Sequence, residues 1–312
     1  MKTKISFLIA ICISLFSKYS VAQTNVQVKF NNTNTELTDT QQVVCKVVYN
    51  MQFVPDTTRK DSMVNELFEL DLAKTSSMFT SFTKHLRDSA MQNEIKEQMK
   101  QYIGADGKFN TDGKPVKFDF SNLSAKFPSI TSDKLFTTSN NGGAVLSLQT
   151  LAESNFLIKD TVEKINWQIQ DSTKTIQGNL CQKAVGESHG RIYTVWFCSD
   201  IPYSFGPRRL YGLPGLILEA RDNKNEVIYT LQSINNSVLN EKIGLPKDGI
   251  YTTPQEFNKA KDAYDKNPEA FMQSHNTNPN VKVFKVVSGR PAPGAKVSGL
   301  IIKKANNKID LK

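Results

Sequence analysis

The stretch Ile201–Ala220, IPYSFGPRRLYGLPGLILEA, decides how the rest of the chain is read. Pro202, Pro207 and Pro214 fix φ and withdraw N–H donors, while Gly206, Gly212 and Gly215 supply turn positions that other residues take only at a cost. Leu216, Ile217 and Leu218 then form an apolar run expected to be buried. Such a segment joins two strands through a packed, non-repetitive loop. It is not a phosphate cradle, because Pro207 and Pro214 lack the N–H groups a cradle uses and no Gly-Lys-Ser/Thr closes the run. Arg208 and Arg209 sit in this loop among Tyr203, Phe205, Tyr211 and Leu213. They could clamp a carboxylate or phosphate, or pair with Asp200 and Glu219 to hold the loop. The structural pairing is the simpler expectation.

Outward from the loop, the flanks alternate with the period of strands. Arg191–Cys198 places Ile192, Thr194, Trp196 and Cys198 on one face and Tyr193, Val195 and Phe197 on the other, so both faces are expected to be covered. Before it, Gly186–Gly190 reads as a connection, Ile176–Ala184 as a strand and Asp171-Ser172 as a turn, in an antiparallel meander that starts near Phe156. After the loop, Leu216–Glu219 and Glu226–Leu231 are strands split by a polar turn at Asp222–Asn225. In the first half, Val43–Val54 and Glu66–Leu72 are strands, and Cys45 falls on the apolar face of the first. The Ser/Thr-rich run Thr75–Phe82 has no assigned element. Lys117–Phe120 and Val281–Val287 are further strand candidates, and Pro128–Gly143 reads as punctuated loop.

Two helices are marked. Met91, Ile95, Met99 and Tyr102 make one stripe over about His85–Ile103, with Gly104 as a stop. Thr253, Pro254 and Glu256 form a capping-box start, and Phe257, Ala260 and Tyr264 form the apolar face, ended by Asn267-Pro268. The fold class that follows is α+β: an antiparallel strand-rich single domain, a curved sheet packed by one or two helices.

Residues 1–22 read as a secretory signal peptide, from charged Lys2 and Lys4 through the apolar run Phe7–Phe16 to cleavage near Ala22 or Gln23, leaving 23–312 as the domain. The apolar run is shorter than the ~20 residues a membrane span needs, and none follows, so the mature chain is expected to hold no integral membrane segment. Removing Lys2, Lys4 and Lys18 lowers the net charge from +9 to +6. The basic residues are scattered, which argues against nucleic acid as a partner. Three cysteines remain: Cys45, Cys181 and Cys198. Cys181 and Cys198 lie on consecutive strands and would face each other, as a disulfide, if the hairpin centres near Gly190. A turn nearer Glu187 would instead put Cys181 beside Val195, and buried free thiols are the alternative to a bond.

The hexapeptide Gly212, Leu213, Pro214, Gly215, Leu216 and Ile217 resembles the signature of the GLPGLI family of uncharacterised exported proteins from Bacteroidetes. The resemblance extends upstream through Trp167, Cys181, Lys183, Ala184, Trp196, Phe197, Ile201, Pro202, Gly206 and Pro207. At the other end, Asn307–Leu311 is similar to a looser form of the family's Asn-Pro-Ile-Glu-Leu ending, with Lys308 for the Pro and Asp310 for the Glu. Cys198, where a small polar residue is more typical, and the Arg208-Arg209 pair are departures. The resemblance implies a periplasmic or extracellular location, with genes often near those of outer-membrane transporters. It supplies no catalytic residue.

The chain's own chemistry is sparse. His85, His189 and His275 stand apart, with no HExxH, no Cys/His cluster and no aspartate-rich calcium loop, so no metal or cofactor is expected. His189 follows Ser188 and is the least remote candidate for a hydrolase base, although adjacent residues do not make a relay. Glu66, Glu69 and Asp71 offer carboxylates that a solvated strand face explains as well. The leading expectation is a non-catalytic binding or assembly factor for an outer-membrane protein or transporter component. The alternatives are an exported hydrolase of peptide or ester bonds with His189 or His275 as base, and a carrier enclosing an apolar ligand between the sheet and the Met91–Tyr102 stripe.

Overall fold

The computed structural model describes residues 36–104, 119–127, 134–139, 143–151, 154–160, 163–268, 270–271 and 306–310. The candidate signal, Lys117 and Phe118 of the candidate strand Lys117–Phe120, His275 and the candidate strand Val281–Val287 lie outside the described residues, and Asp119 and Phe120 are not in a strand.

Two meanders build one sheet. The first runs β2 (Cys45–Phe53), β3 (Val64–Leu72), β4 (Ser76–Ser81), β5 (Lys134–Thr138), β6 (Ala144–Leu151) and β7 (Ser154–Asp160), each antiparallel to the one before. The second runs β8 (Gln168–Ile176), β9 (Asn179–Ser188), β10 (Arg191–Cys198), β11 (Leu216–Asp222) and β12 (Val227–Asn235). β12 then pairs with β2, from Val227 opposite Phe53 to Asn235 opposite Lys46, and this seam joins the meanders into a 12-stranded sheet. β14 (Ile250–Thr252) adds to β7 in parallel, so the sheet is mixed, and β1 (Leu37–Gln42) pairs separately with β13 (Lys242–Pro246). The fold is α+β, a curved strand-dominated sheet with helices packed on it. No helix among the described residues is long and apolar enough to cross a membrane.

Local sequence accounts for most of these elements. In β2, strict alternation buries Cys45, Val47, Tyr49, Met51 and Phe53 on one face, and Phe68 and Leu70 of β3 continue that face. Phe79, Tyr229, Val195 and Phe197 extend the same core across the seam. Residues of the second meander sit differently from expectation at four points, the first being that Gly186–Ser188 belong to β9 and only His189-Gly190 make the connection expected over Gly186–Gly190. Asp171-Ser172 is not a turn: the β8–β9 register shifts between Gln170 and Thr173, a bulge inside one continuous strand. The turn comes at Gln177-Gly178, with φ of +45° and +84°, and it divides the expected strand Ile176–Ala184. Ile192 on the outer face of β10 is 47% exposed, so the Tyr193, Val195 and Phe197 face is core along its length, whereas the other face is covered only towards Trp196 and Cys198.

β4 escaped sequence reading because its Ser and Thr carry no apolar pattern, yet Ser76, Ser77, Thr80 and Ser81 are buried between β3 and β5. β5 and β6 were hidden in the same way by the punctuation around them. The first helix, α1 (Phe82–Met99), starts at Ser81, whose Oγ accepts from the Lys84 N–H, and ends in a 3-10 turn at Lys100–Tyr102. Of its expected stripe only Ile95 is fully buried; Met91, Met99 and Tyr102 are half-buried. A short α2 (Ser121–Lys126) follows. The later helix, α3 (Pro254–Lys266), has the full capping box of Thr253 and Glu256, and Phe257 meets Phe156 of β7 edge to face.

Candidate functional site

The loop between β10 and β11 is folded against the core by short backbone bonds. Leu216 N–H donates to Ile201 O at 2.9 Å, Ile217 N–H to Phe205 O at 3.1 Å and Gly212 N–H to Ser204 O at 2.9 Å. Phe205, Leu210, Leu213, Leu216 and Ile217 are buried. Two of the glycines are required by contact. A Cβ on Gly215 would lie 2.2 Å from the Cys198 carbonyl oxygen, and one on Gly206 would lie 2.8 Å from Ile217. Gly212 is required by its φ of +92°. Trp167 ties the loop to the second meander: its Nε1–H donates to Tyr211 O at 2.8 Å, and its ring fills the space over Gly186.

Below Glu219, β11 parts from β12, since their pairing covers only Glu219–Arg221. The Ile217 carbonyl freed there accepts from the buried Tyr49 hydroxyl at 2.7 Å. A side chain thus replaces a ladder bond, and the buried backbone stays satisfied.

The polar centre lies at the other end of β10. Arg191, with its side chain only 1% exposed, donates through Nη1 to Asp222 at 2.6 Å and to Glu226 at 2.9 Å. Asp222 also caps its own turn, accepting from the N–H groups of Glu226 at 2.7 Å and Val227 at 3.0 Å. Burial would lower the Arg191 pKa, but the carboxylates of Glu226 and Asp222 outweigh it and hold the guanidinium above its ordinary value. The remaining donors of Arg191 reach Asn306–Asp310, a segment from the far end of the chain. Nε donates to Ile309 O at 2.8 Å, and Nη2 donates to Asn307 Oδ1 at 2.6 Å and Lys308 O at 2.5 Å. Asn307 Nδ2 donates in turn to Val54 O at 2.7 Å, and Ile309 joins the main core.

Asp310 closes the arrangement. It accepts from Arg208 Nη2 at 2.8 Å and Arg209 Nη1 at 2.7 Å. Burial would raise its pKa; Arg208 and Arg209 prevail and hold it below the ordinary carboxylate range. The expected pairing of these arginines with Asp200 and Glu219 is therefore corrected. Asp200 is exposed, and Glu219 is taken by Lys174, which also lies 4.7 Å over the Trp196 ring. Arg208 holds a φ of +56°, uncommon for a non-glycine residue. Tyr229, fully buried, belongs to the same centre: burial raises its phenol, and Arg208, Asp310, Arg209 and Arg191 act on it. Its hydroxyl has no hydrogen-bond partner among the described residues.

Ser188, His189 and Glu163 do come together, but not as a relay. Ser188 Oγ lies 3.0 Å and Glu163 Oε2 3.3 Å from the same ring nitrogen, Nδ1 of His189. A triad divides nucleophile and acid between the two nitrogens. His189 is instead a turn residue at φ +49°, and its backbone N–H donates to Glu163 at 2.7 Å. His85 lies far along the chain on α1, where burial, then Lys134, lowers its pKa.

The strand carboxylates are paired, not solvated. Lys46 bridges Glu69 at 3.0 Å, Asp71 at 3.4 Å and Glu241 at 2.8 Å. Glu66 is buried on the core face, where it accepts from the Ser81 hydroxyl at the start of α1. All three described cysteines are free and buried; burial pushes the Cys45 and Cys181 thiols up to about 11. The β9–β10 register, with Phe197 opposite Gln182, brings Cys198 opposite Cys181 at its next step.

Arg191, Asp222 and Glu226 were not singled out as site residues by sequence. The one signal was the similarity at Asn307–Leu311, which gives an ending but not its binding site. Among the described residues no group of His, Cys, Asp and Glu is arranged to hold a metal.

Residues 186–219, which hold the end of β9, β10, the loop and the start of β11, match the model of a family described as a protein of unknown function (Porph_ging). No curated protein sequence matches the chain. Two solved structures of PNGF-II, in space groups C2 and P21, are similar at 12% identity and a TM-score of 0.41, covering 69% and 70% of this chain. The chain spans about a third of their length, 32% and 33%.

Proposed function

We propose that this chain is an exported, non-catalytic binding or assembly factor that works with an outer-membrane partner, and that it is a member of the GLPGLI family. The signature hexapeptide and its upstream residues support the family. The signal-like start supports export to the periplasmic or extracellular side. The observation that carries the binding role is the docking of Asn306–Asp310, in which Arg191, Arg208 and Arg209 contact a short segment through side-chain and backbone groups. Reading a chain segment through both its side chains and its backbone is recognition chemistry. The grouping of Ser188 and Glu163 on one nitrogen of His189 counts against the hydrolase alternative.

The test is quantitative pull-down of the mature protein from its native envelope, with an Arg208→Ala/Arg209→Ala variant in parallel. A reproducible outer-membrane partner, weakened in the variant, is the expected result. Absence of any envelope partner, together with a turnover abolished by His189→Ala, would favour the hydrolase.

A further inference from the structure

The docked segment is read position by position. Asn306 Oδ1 accepts from Thr57 N–H at 2.9 Å, and the Asn307 N–H donates to Pro55 O at 3.2 Å. The Asn307 amide is buried, bonded through its oxygen to Arg191 and through its nitrogen to Val54 O. The carbonyls of Lys308 and Ile309 both accept from Arg191, whereas the Lys308 side chain is exposed. Ile309 is buried with the core, and Asp310 takes two guanidinium groups. Four neighbouring positions thus meet, in order, an amide-specific pocket, open solvent, an apolar pocket and a double-arginine clamp. The receiving groups come from β10, the β2–β3 connection and the signature loop, none of them near this segment in sequence.

We infer that the groove formed by Arg191, Val54, Arg208 and Arg209 is a peptide-recognition site for segments of the pattern Asn-any-aliphatic-acidic, filled in cis by residues 307–310 and able to take the same pattern from another polypeptide. This rests on the binding role proposed above and specifies its ligand. The contacts are mostly polar and directional, with Ile309 the one buried apolar side chain of the segment. They therefore select a sequence more than they add apolar burial. The buried Tyr229 hydroxyl, without a hydrogen-bond partner among the described residues, leaves a donor for a ligand that offers one more acceptor.

The experiment uses the full mature chain. A fluorescein-labelled peptide of residues 305–312 is titrated by anisotropy against the intact protein, against Asp310→Ala, and against a chain lacking residues 306–312. Asp310→Ala keeps the receiving groove and weakens only the cis competitor. The expected result is saturable binding to Asp310→Ala at least tenfold tighter than to the intact chain. Peptides carrying Asn307→Ala or Asp310→Ala should bind at least tenfold more weakly, and a scrambled peptide not at all. Absence of saturable binding to Asp310→Ala with its far-UV circular dichroism native overturns the assignment, whatever the shortened chain does. Equal binding to intact and variant chains overturns it as well, since the peptide would then sit elsewhere. The two readings fail separately: peptide binding without an envelope partner leaves the groove and removes the outer-membrane role, and the reverse removes the groove alone.

Discussion

Two charged centres in this protein are built from the same kinds of side chain and do different work. Lys46 on β2 stands beside Glu69 and Asp71 on the neighbouring strand, and Glu241 leans in from the approach to β13. These are cross-strand neighbours on a face that water still reaches, with the Lys46 side chain 16% exposed. Arg191 and Asp222 are 1% and 0% exposed, and Arg191 also holds a segment more than a hundred residues away. The first centre decorates a sheet that its backbone ladder already defines. The second exists only when β10, the Asp222 turn and the C-terminal segment meet. A buried guanidinium with every donor used is costly to form and costlier to break, because removal of one partner strands the others.

The largest expected effect separates the two directly. Arg191→Ala should cost about 3–5 kcal/mol, since Asp222 is left buried without its cation, while Lys46→Ala should cost about 1–2 kcal/mol. Urea denaturation of both variants gives the comparison, and equal midpoints would collapse the distinction.

Next comes the covalent option on the Arg191 side. In the oxidising compartment that the proposed export implies, Cys181 and Cys198 are expected to link across β9 and β10, closing a loop worth about 3 kcal/mol. Alkylation under denaturing conditions without reductant, read by mass spectrometry, should then label Cys45 alone. Free labelling of all three refutes the pairing.

A smaller effect tests how the signature loop reaches this centre. Gly215→Ala forces a Cβ against the Cys198 carbonyl and should cost about 1–3 kcal/mol, near the cost of overpacking. Gly212→Ala meets no atom closer than 3.9 Å and is disfavoured by φ alone, at about 1 kcal/mol. Thermal denaturation should rank them in that order; the reverse order would show that backbone conformation, not close approach, is what the hexapeptide protects.

The smallest effect is the pH dependence of the clamp. The folded Asp310 carboxyl is held below its unfolded value, so its contribution is fully present above the ordinary carboxylate value near 4 and is lost as pH falls through the lower folded value. The stability difference between the parent and Asp310→Asn, about 1 kcal/mol at neutral pH, should therefore shrink as pH falls below about 4. A difference that persists unchanged to the acid limit would mean that the interaction does not depend on the charge.

Sequence by itself determined the elements whose period or punctuation is local. The alternation in Val43–Val54, the capping box at Thr253–Glu256, the polar turn at Asp222–Asn225 and the strand Arg191–Cys198 all stand in the structure near where their residues place them. The same locality explains the errors. A bulge at Asp171-Ser172 carries turn residues, and β4 is polar although buried, because its neighbours and not its own pattern decide its burial. Tertiary structure alone decided the site. Arg191 looks like any strand-initial arginine, and Asp310 like part of a charged, solvated end. Their meeting depends on the seam between β2 and β12, which sets Val54 beside the Arg191–Asp222 corner, and on a loop folded tightly enough to aim Arg208 and Arg209 at one carboxylate. Charge pairing across that distance leaves no periodic trace in a chain, since it is fixed by where elements pack and not by how residues are spaced.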